Sequence, residues 1–585
     1  MERAEDKSMK RNLKRRRRGV LAASCLVLVG LMIYPERREL AREAVEMITM
    51  AEREPVFSET GSFYEDPIQV TLQIEGAEEI YYTLDGSAPD TTASRYEAPV
   101  ELEAGENLNV YTLRAVGYAD GELQDEVYTH TYFLGKNVKD RHTDLVVAVS
   151  GNPEGLFGYE NGILVGGRIK EEYLAAHPEE EDAAAPANYY NRGWDAEREV
   201  YVEILDPDGT RLISQDAGLR VHGGVSRSQP QKSLRLIARK RYGTKYFEAP
   251  LFGEEESSYY KKLVLRNSGN DYMLAFERNE CALSLAADAG FPDTTRFRTA
   301  AVYLNGAYYG FEWLSEVFDD TYFERKYGTA DKVGSWEILE VKNRLLSEED
   351  EEEKSTKRAI RDWNAIYTLC TTQDLTEDSV FSMFAERVDV ENFLLYHAIE
   401  IYLANPDWPF NNNKVYRWYP EDGSYGEEST DGKWRFLMYD FDEGLGKRDS
   451  SAPTDLSLSK ALGLEDSGHW KRYNPIFAAV MKREDMKTRF TEIMEELMEG
   501  ALSPEHFTGR AEELAEQRRP EVLQYLRFLA AEDAQQEEAL LAGKDEAALY
   551  EEYYQEVLEQ EEKLREFAKL RPETMRAELE RLKDY

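Results

Sequence analysis

The chain has 585 residues, too many for one hydrophobic core, and its 37 tyrosines and eight tryptophans supply apolar bulk for two to four domains. Its formal charge of −42 is unevenly spread: residues 1–18 hold nine Lys/Arg against three Asp/Glu, a net of +6, which leaves −42 − 6 = −48 on the remainder. A body that acidic repels nucleic acid, and a short basic head beside an apolar run is not a nucleic-acid arm, so no nucleic-acid partner is expected.

The basic head (1–18) leads into GVLAASCLVLVGLMIY, sixteen uncharged residues from Gly19 to Tyr34. In length this run (19–34) falls between a signal-peptide core and a full membrane span. An uncleaved anchor, a cleaved signal and lipidation at Cys25 stay open, but no small-x-small cleavage site follows Tyr34, which favours the anchor. The charge step keeps the head in the cytoplasm. A single-pass protein of the cell membrane, with its main body on the extracytoplasmic side, is therefore expected. Residues 35–54 read as a charged helical stalk. Cys281 and Cys370 fall in segments of helical period, where a buried free thiol is the default. The seven histidines are scattered, with no zinc-ligand pair.

Over residues 55–136 the period changes to two, in short runs (IQVTLQI, EIYYTLDG, LNVYTLRAVGY, EVYTHTYFL) that predict a small antiparallel β-sandwich. YYTLDGSAPDTTASRYEAPVEL, through Tyr82, Thr83, Asp85, Gly86, Pro89, Tyr96 and Pro99, resembles the small β-domain first recognised at the C-terminus of chitobiase-type hexosaminidases. The resemblance implies an accessory module, either a spacer or a site for cell-wall glycan.

NVKDRHT (137–143) reads as a linker, and a mixed region then opens with the strand LVVAVS. HPEEEDAAAPAN (177–188) reads as a solvated loop. Strands are predicted at EVYVEIL, GLRVHGG, KSLRLIA and KLVLRN, followed by a helix, ERNECALSLAADAG, ending at Gly290. AAVYLNG and AYYGFEWL flank Asn305-Gly306, a strong hairpin signal, and the following EWLSEVFDD reads as helical. EEDEEE (348–353) marks an exposed loop. From Lys357 the chain is mainly helical, with Asp389 and Ser503 as N-caps. Residues 506–585 read as an acidic helical C-terminal extension broken near Pro520, Gly543 and Pro572, capping the main domain or exposed for interaction.

The chemistry concentrates in two segments. NPDWPFNNN sets Asp407 five positions before Asn412, and GKWRFLMYDFDEGLG carries Asp440 and Asp442 just after an apolar strand. Phosphoryl transfer needs one carboxylate to orient a hydroxyl, and an amide plus a second carboxylate to hold magnesium on the phosphates. Strands first, helices after, and a loop of this kind between helix and strand predict an α+β fold. Its main part is an atypical two-lobed protein-kinase-like domain over 144–505, preceded by the β-sandwich and the membrane anchor.

GLRVHGGVSRSQPQKSLRLIARKRYG, VYLNGAYYGFEWLSE, NPDWPFNNNKVYRW and KWRFLMYDFDEGLG together resemble the CotH family, the spore-coat-protein-H type of atypical protein kinase. The resemblance implies ATP and Mg²⁺ as cofactors and Ser/Thr of a surface or coat protein as acceptor. It implies that Asp407 acts on the acceptor hydroxyl, that Asn412 and Asp440 hold magnesium, and that Asp442 supports the same cluster. Lys232 would grip the nucleotide phosphates, with Arg227 also touching phosphate and Glu316 positioning Lys232 by an ion pair. Gly223 and Gly224 would cover the phosphates or form a plain β-turn, and His222 reads as a packed strand residue. No GxGxxG loop is present. Two other readings are a non-catalytic surface scaffold binding glycan or protein, and a glycan-active enzyme using Asp407 and Asp440 as a carboxylate pair about 5–10 Å apart.

Overall fold

A computed structural model describes residues 56–105, 108–124, 127–180, 185–253, 258–348 and 354–585. The basic head, the apolar run and the stalk lie outside the described residues, as do 181–184 of the acidic insertion and 349–353 of the EEDEEE run. Among the described residues no helix is long and apolar enough to cross a membrane.

The alternating runs of the N-terminal module pair as expected. Asn109–Ala119 lies between Glu79–Thr83 and Tyr128–Leu134, both antiparallel to it, and a second sheet pairs Ile68–Val70 with Val100–Leu102. Val70, Val100, Leu102, Leu113, Ala115, Tyr132 and Leu134 fill the space between the sheets. The expected linker is instead part of an interface. Val138 is 1% exposed and packs with Phe63 and Phe133 against Val146, Ala148, Leu205, Ala301 and Tyr303 of the next domain. His142 is buried, with ring nitrogens 3.0 Å from Glu521 Oε2 and 2.9 Å from Tyr303 Oη. The segment read as a linker thus turns its Val and His inward.

Seven strands close a barrel: β1 (Leu145–Gly151), β2 (Arg198–Leu205), β3 (Arg211–Val221), β4 (Leu234–Ile237), β5 (Lys262–Arg266), β6 (Phe297–Leu304) and β7 (Ala307–Glu316). Their order is β2-β3-β4-β5-β7-β6-β1, antiparallel except where β6 runs parallel to β1. Val147, Val202, Leu219, Leu236, Leu265, Val302 and Leu314 fill its centre. Asn305 and Gly306 turn the β6–β7 hairpin with φ of 49° and 82°, the left-handed pair that a two-residue hairpin turn requires.

Helix α1 (Arg278–Asp288) sits between β5 and β6 in the chain. Its start is capped from a distance: the Asp271 carboxylate accepts the N–H groups of Ala275, Glu277 and Arg278. Beyond the barrel, β8 (Gly334–Glu340), β9 (Lys414–Pro420) and β10 (Arg435–Leu437) form an antiparallel sheet. Helices α2 (Lys354–Thr372), α3 (Val390–Tyr402) and α4 (Glu484–Glu499) pack around it. Asp389 caps α3 by accepting the Asn392 N–H.

The tail forms α5 (Pro504–Asp533) and α6 (Glu546–Leu582), which pack along each other and enter the main core through Phe507, Leu514, Tyr525, Leu564, Phe567 and Met575. Of the expected breaks only the one at Gly543 exists; both helices run through their prolines. An interior proline costs roughly 3 kcal/mol. Here long-range ties on either side of Pro520 hold the axis: Arg518 to Glu277, and Glu521 to His142 and the Thr143 N–H.

Candidate active site

Asp407 lies in the connection from α3 to β9, five residues after the helix ends. Two side chains shape this loop. Glu400, fully buried in the last turns of α3, accepts from Asn405 Nδ2 at 3.1 Å, and Asn405 Oδ1 accepts the Asp407 N–H at 3.3 Å. Asn412 adopts a left-handed φ of 52° that turns its amide back across the loop. Its Nδ2 donates to Asp407 Oδ2 at 3.4 Å and to the Asp440 carbonyl at 3.3 Å. One amide therefore joins the two sequence motifs.

The DFD turn begins three residues after β10 ends. Asp440 has a φ of 65°, and Asn279, in the first turn of α1, fixes it: Asn279 Oδ1 accepts the N–H groups of both Asp440 (3.0 Å) and Phe441 (3.1 Å). Phe441 is fully buried and anchors the turn in the core. Arg266, the last residue of β5, donates through Nη2 to Asp440 Oδ1 (2.5 Å) and Asp442 Oδ2 (2.8 Å). The Asn270 N–H also donates to Asp442 Oδ2 at 2.8 Å. A Cβ on Gly269 would stand 2.1 Å from that oxygen, so only glycine fits there.

These carboxylates repel one another. Burial, then the charges of Asp440 and Glu443, push Asp407 up to about 6, with Asn411 and Lys447 pulling the other way. Burial and Asp440 push Asp442 up to about 7 against the pull of Arg266. Burial alone would weaken Arg266 as a cation, but Asp440 and Asp442 outweigh it and hold its pKa well above the usual range. Lys414, the first residue of β9, places its ammonium 3.8 Å above the Tyr439 ring and feels the Asp440 charge. Arg235 of β4 donates to His222 Nδ1 at 2.7 Å, and His222 in turn feels Arg266 and Lys414. Two cations thus act on the DFD turn, Arg266 from the barrel and Lys414 from the sheet beyond it.

The C-terminal helix braces both segments. Arg571 is fully buried and donates to the carbonyls of Ile401 and Tyr402, which precede the Asp407 loop, and to those of Pro453 and Asp455. Phe567 Cβ packs under Gly446, just past the DFD turn.

The expected Lys232–Glu316 pair does not form. Glu316 ends strand β7 rather than lying in a helix, because the hairpin alternation runs on to pair Leu263 with Glu316 and Phe297 with Ser315. Its carboxylate is taken by Arg296 and Arg325. Lys232 is 5% exposed, donates to the Gln229 carbonyl, and lies 4.5 Å from the Tyr189 ring centroid. Burial, with Lys170 nearby, lowers its pKa to about 8. Arg227 commits four of its five N–H donors to the carbonyls of Tyr189, Asn191, Val221 and Gly223, so it staples the Gly223-Gly224 turn instead of facing a phosphate. The side chains brought together are Asp407, Asn412, Asp440 and Asp442.

Arg266, Asn279, Glu280, Arg235 and Lys414 were not found from the sequence. Arg266 and Arg235 carry a weak signal, a single cation in an otherwise apolar strand. Asn279 and Glu280 carry none, since their burial depends on what α1 packs against.

A family model described as CotH kinase protein matches residues 219–575, from the end of β3 through most of α6. The chain belongs to the CotH kinase protein family. The match takes in every residue gathered at the DFD turn, and also α5 and most of α6, while β1 and β2 lie outside it although they close the barrel. A model described as Fn3 associated matches residues 68–132, which is most of the N-terminal module. No curated protein matches the chain.

Kinase families in general imply ATP and a divalent metal. Among the described residues no group of three or more His, Cys, Asp or Glu is drawn together as a ready metal site. The donor set nevertheless suits a hard cation: two carboxylates of the DFD turn beside the Asn412 amide, all oxygen donors. Burial first, and the neighbouring Asp440 charge second, press Asp407 and Asp442 toward their neutral forms, and a divalent ion would offset the second effect.

Proposed function

We propose that the chain is an atypical protein kinase that transfers the ATP γ-phosphoryl group to a Ser or Thr hydroxyl of another protein, in a domain of two kinase-like lobes formed by the barrel and the helical part. The observation that carries this reading is the Asn412 amide spanning Asp407 and the DFD turn, because phosphoryl transfer requires a base and a metal–phosphate cluster side by side. Asp440, Asp442 and Asn412 would hold Mg²⁺, which supplies positive charge on the phosphate oxygens. Lys414, which feels the Asp440 charge, would meet a triphosphate's remaining charge beside Lys232.

Asp407 accepts the hydroxyl proton as the acceptor oxygen bonds to the γ-phosphorus and the β–γ bridging bond breaks, leaving ADP. A carboxyl with a pKa of about 6 is ionised at neutral pH yet basic enough to take that proton. Asn411 and Asn412 hold it in place.

We also propose a single-pass anchor at residues 19–34, which would set the kinase against acceptors at the cell surface or in a coat. The module would offer its partly exposed Tyr81–Tyr118 pair, ring centroids 5.6 Å apart, to wall glycan in the manner of a chitobiase-type accessory domain. The test is transfer of labelled γ-phosphate by the purified chain to itself and to surface proteins. Asp407→Asn and Asp440→Asn should each lower the rate at least about a hundredfold. Equal rates in wild type and both variants would remove the assignment and leave the scaffold reading.

A further inference from the structure

The carboxylates of Asp440 and Asp442 share one guanidinium, and the Glu280 carboxyl, joined to the same turn through Asn279, feels its charge. Arg266 Nη2 bridges the two aspartates, while Nη1 of the same fork is buried with no acceptor. Glu280, 1% exposed in the first turn of α1, takes the Asn279 amide on Oε1 at 2.9 Å, and its Oε2 is buried with no donor. An orphaned donor and an orphaned acceptor therefore stand in one water-poor site, each exposed to the other's charge. After burial, Arg266 is the largest electrostatic influence on Glu280.

An arginine cannot give up its proton in a protein. When a divalent cation takes Asp440 and Asp442, the guanidinium bridging them must therefore move or be repelled in place. The unused face of the fork and the unused oxygen of Glu280 are an orphaned donor and an orphaned acceptor whose charges act on each other. Gly269 leaves room beside it, since a Cβ there would come within 2.8 Å of Nη2.

We propose that Arg266 is an exchangeable internal cation: it holds the DFD carboxylates until a divalent metal takes them, then passes to Glu280 Oε2. This rests on the metal-binding reading of Asp440 and Asp442. Its consequence is that Glu280, which touches neither metal nor nucleotide, positions Arg266 and sets metal affinity.

The test uses Mn²⁺ alone, titrated into the full chain without nucleotide and followed by electron paramagnetic resonance and by thermal unfolding. Arg266→Gln removes the competing cation. It should melt lower than wild type without metal, bind Mn²⁺ about tenfold more tightly, and regain most of its lost melting temperature when Mn²⁺ saturates. Glu280→Gln removes the receiving charge. It should melt close to wild type without metal and bind Mn²⁺ about tenfold more weakly. Unchanged Mn²⁺ affinity in Glu280→Gln, or weaker binding in Arg266→Gln, would overturn the exchange while leaving the kinase reading intact. Absence of Mn²⁺ binding by wild type, with and without ATP, would instead remove the metal site and the exchange together.

Discussion

Gly269→Ala would put a methyl group where Asp442 now stands. Two costs add. The backbone there has a φ of +61°, which costs an L-residue roughly 1–2 kcal/mol. The new Cβ would also lie 2.1 Å from Asp442 Oδ2, so the carboxylate must leave the Asn270 N–H and Arg266. Hydrogen bonds to a charged group contribute about 1.5–3 kcal/mol. The sum is about 2.5–5 kcal/mol. Gly543→Ala supplies the control, because Gly543 has a φ of +65° and nothing within 4 Å of its ideal Cβ, so only the backbone cost applies. Urea unfolding of both variants, read as the shift in midpoint at constant slope, gives the difference directly. Gly269→Ala should lose about 2–3 kcal/mol more than Gly543→Ala and should lose phosphoryl transfer as well. Equal losses in the two variants would show that Asp442 is not held where its hydrogen bonds place it.

Burial pushes the Glu203 carboxyl up to about 7 from 4.5, against the pull of Arg211 and Thr131. The folded state then keeps a proton that the unfolded chain has lost, so stability falls as pH rises from about 4.5 to 7, by up to about 3 kcal/mol. Glu203→Gln should lose about 2–3 kcal/mol less than wild type between pH 5 and pH 8 in urea unfolding; parallel curves would refute the shift. Arg571→Met takes the donor from the Tyr402, Pro453 and Asp455 carbonyls, while that of Ile401 keeps Ser457, and a loss of about 3–5 kcal/mol together with most of the transfer rate is expected by urea unfolding and phosphate-transfer assay. Since Lys232 and Glu316 do not touch, their alanine variants should be additive in a double-mutant cycle within about 0.5 kcal/mol, whereas Glu316 and Arg325 should couple by more than that.

The two segments of the candidate site were legible because their content is local. Asp407 and Asn412 lie on one loop, and Asp440 and Asp442 on one turn, so chain spacing alone puts each pair within reach of a shared centre. The strands, the Asn305-Gly306 hairpin and the Asp389 cap were legible for the same reason: each rests on a two-residue or three-to-four-residue period. The expected pairing of Lys232 with Glu316 failed where locality ends. A cation in a strand shows its sign in the sequence but not its partner, and Lys232 turned to Tyr189 while Arg266, 174 positions from Asp440, reached the carboxylates. Glu316 was misplaced because EWLSEVFDD fits a helix until β5 and β6 are there to continue the sheet beside it.

The order of strands and helices, the acidic charge and the identity of the four clustered side chains were set by the chain itself, through backbone period and short-range spacing. Which cation meets those side chains, which residues of α1 hold the turn, and that α6 reaches back through Arg571 to the segment ahead of Asp407 were decided only by tertiary packing. Burial makes the difference: a guanidinium, an amide or a carboxyl gains its role from what surrounds it once water is excluded, and those surroundings come from segments more than a hundred and fifty residues away.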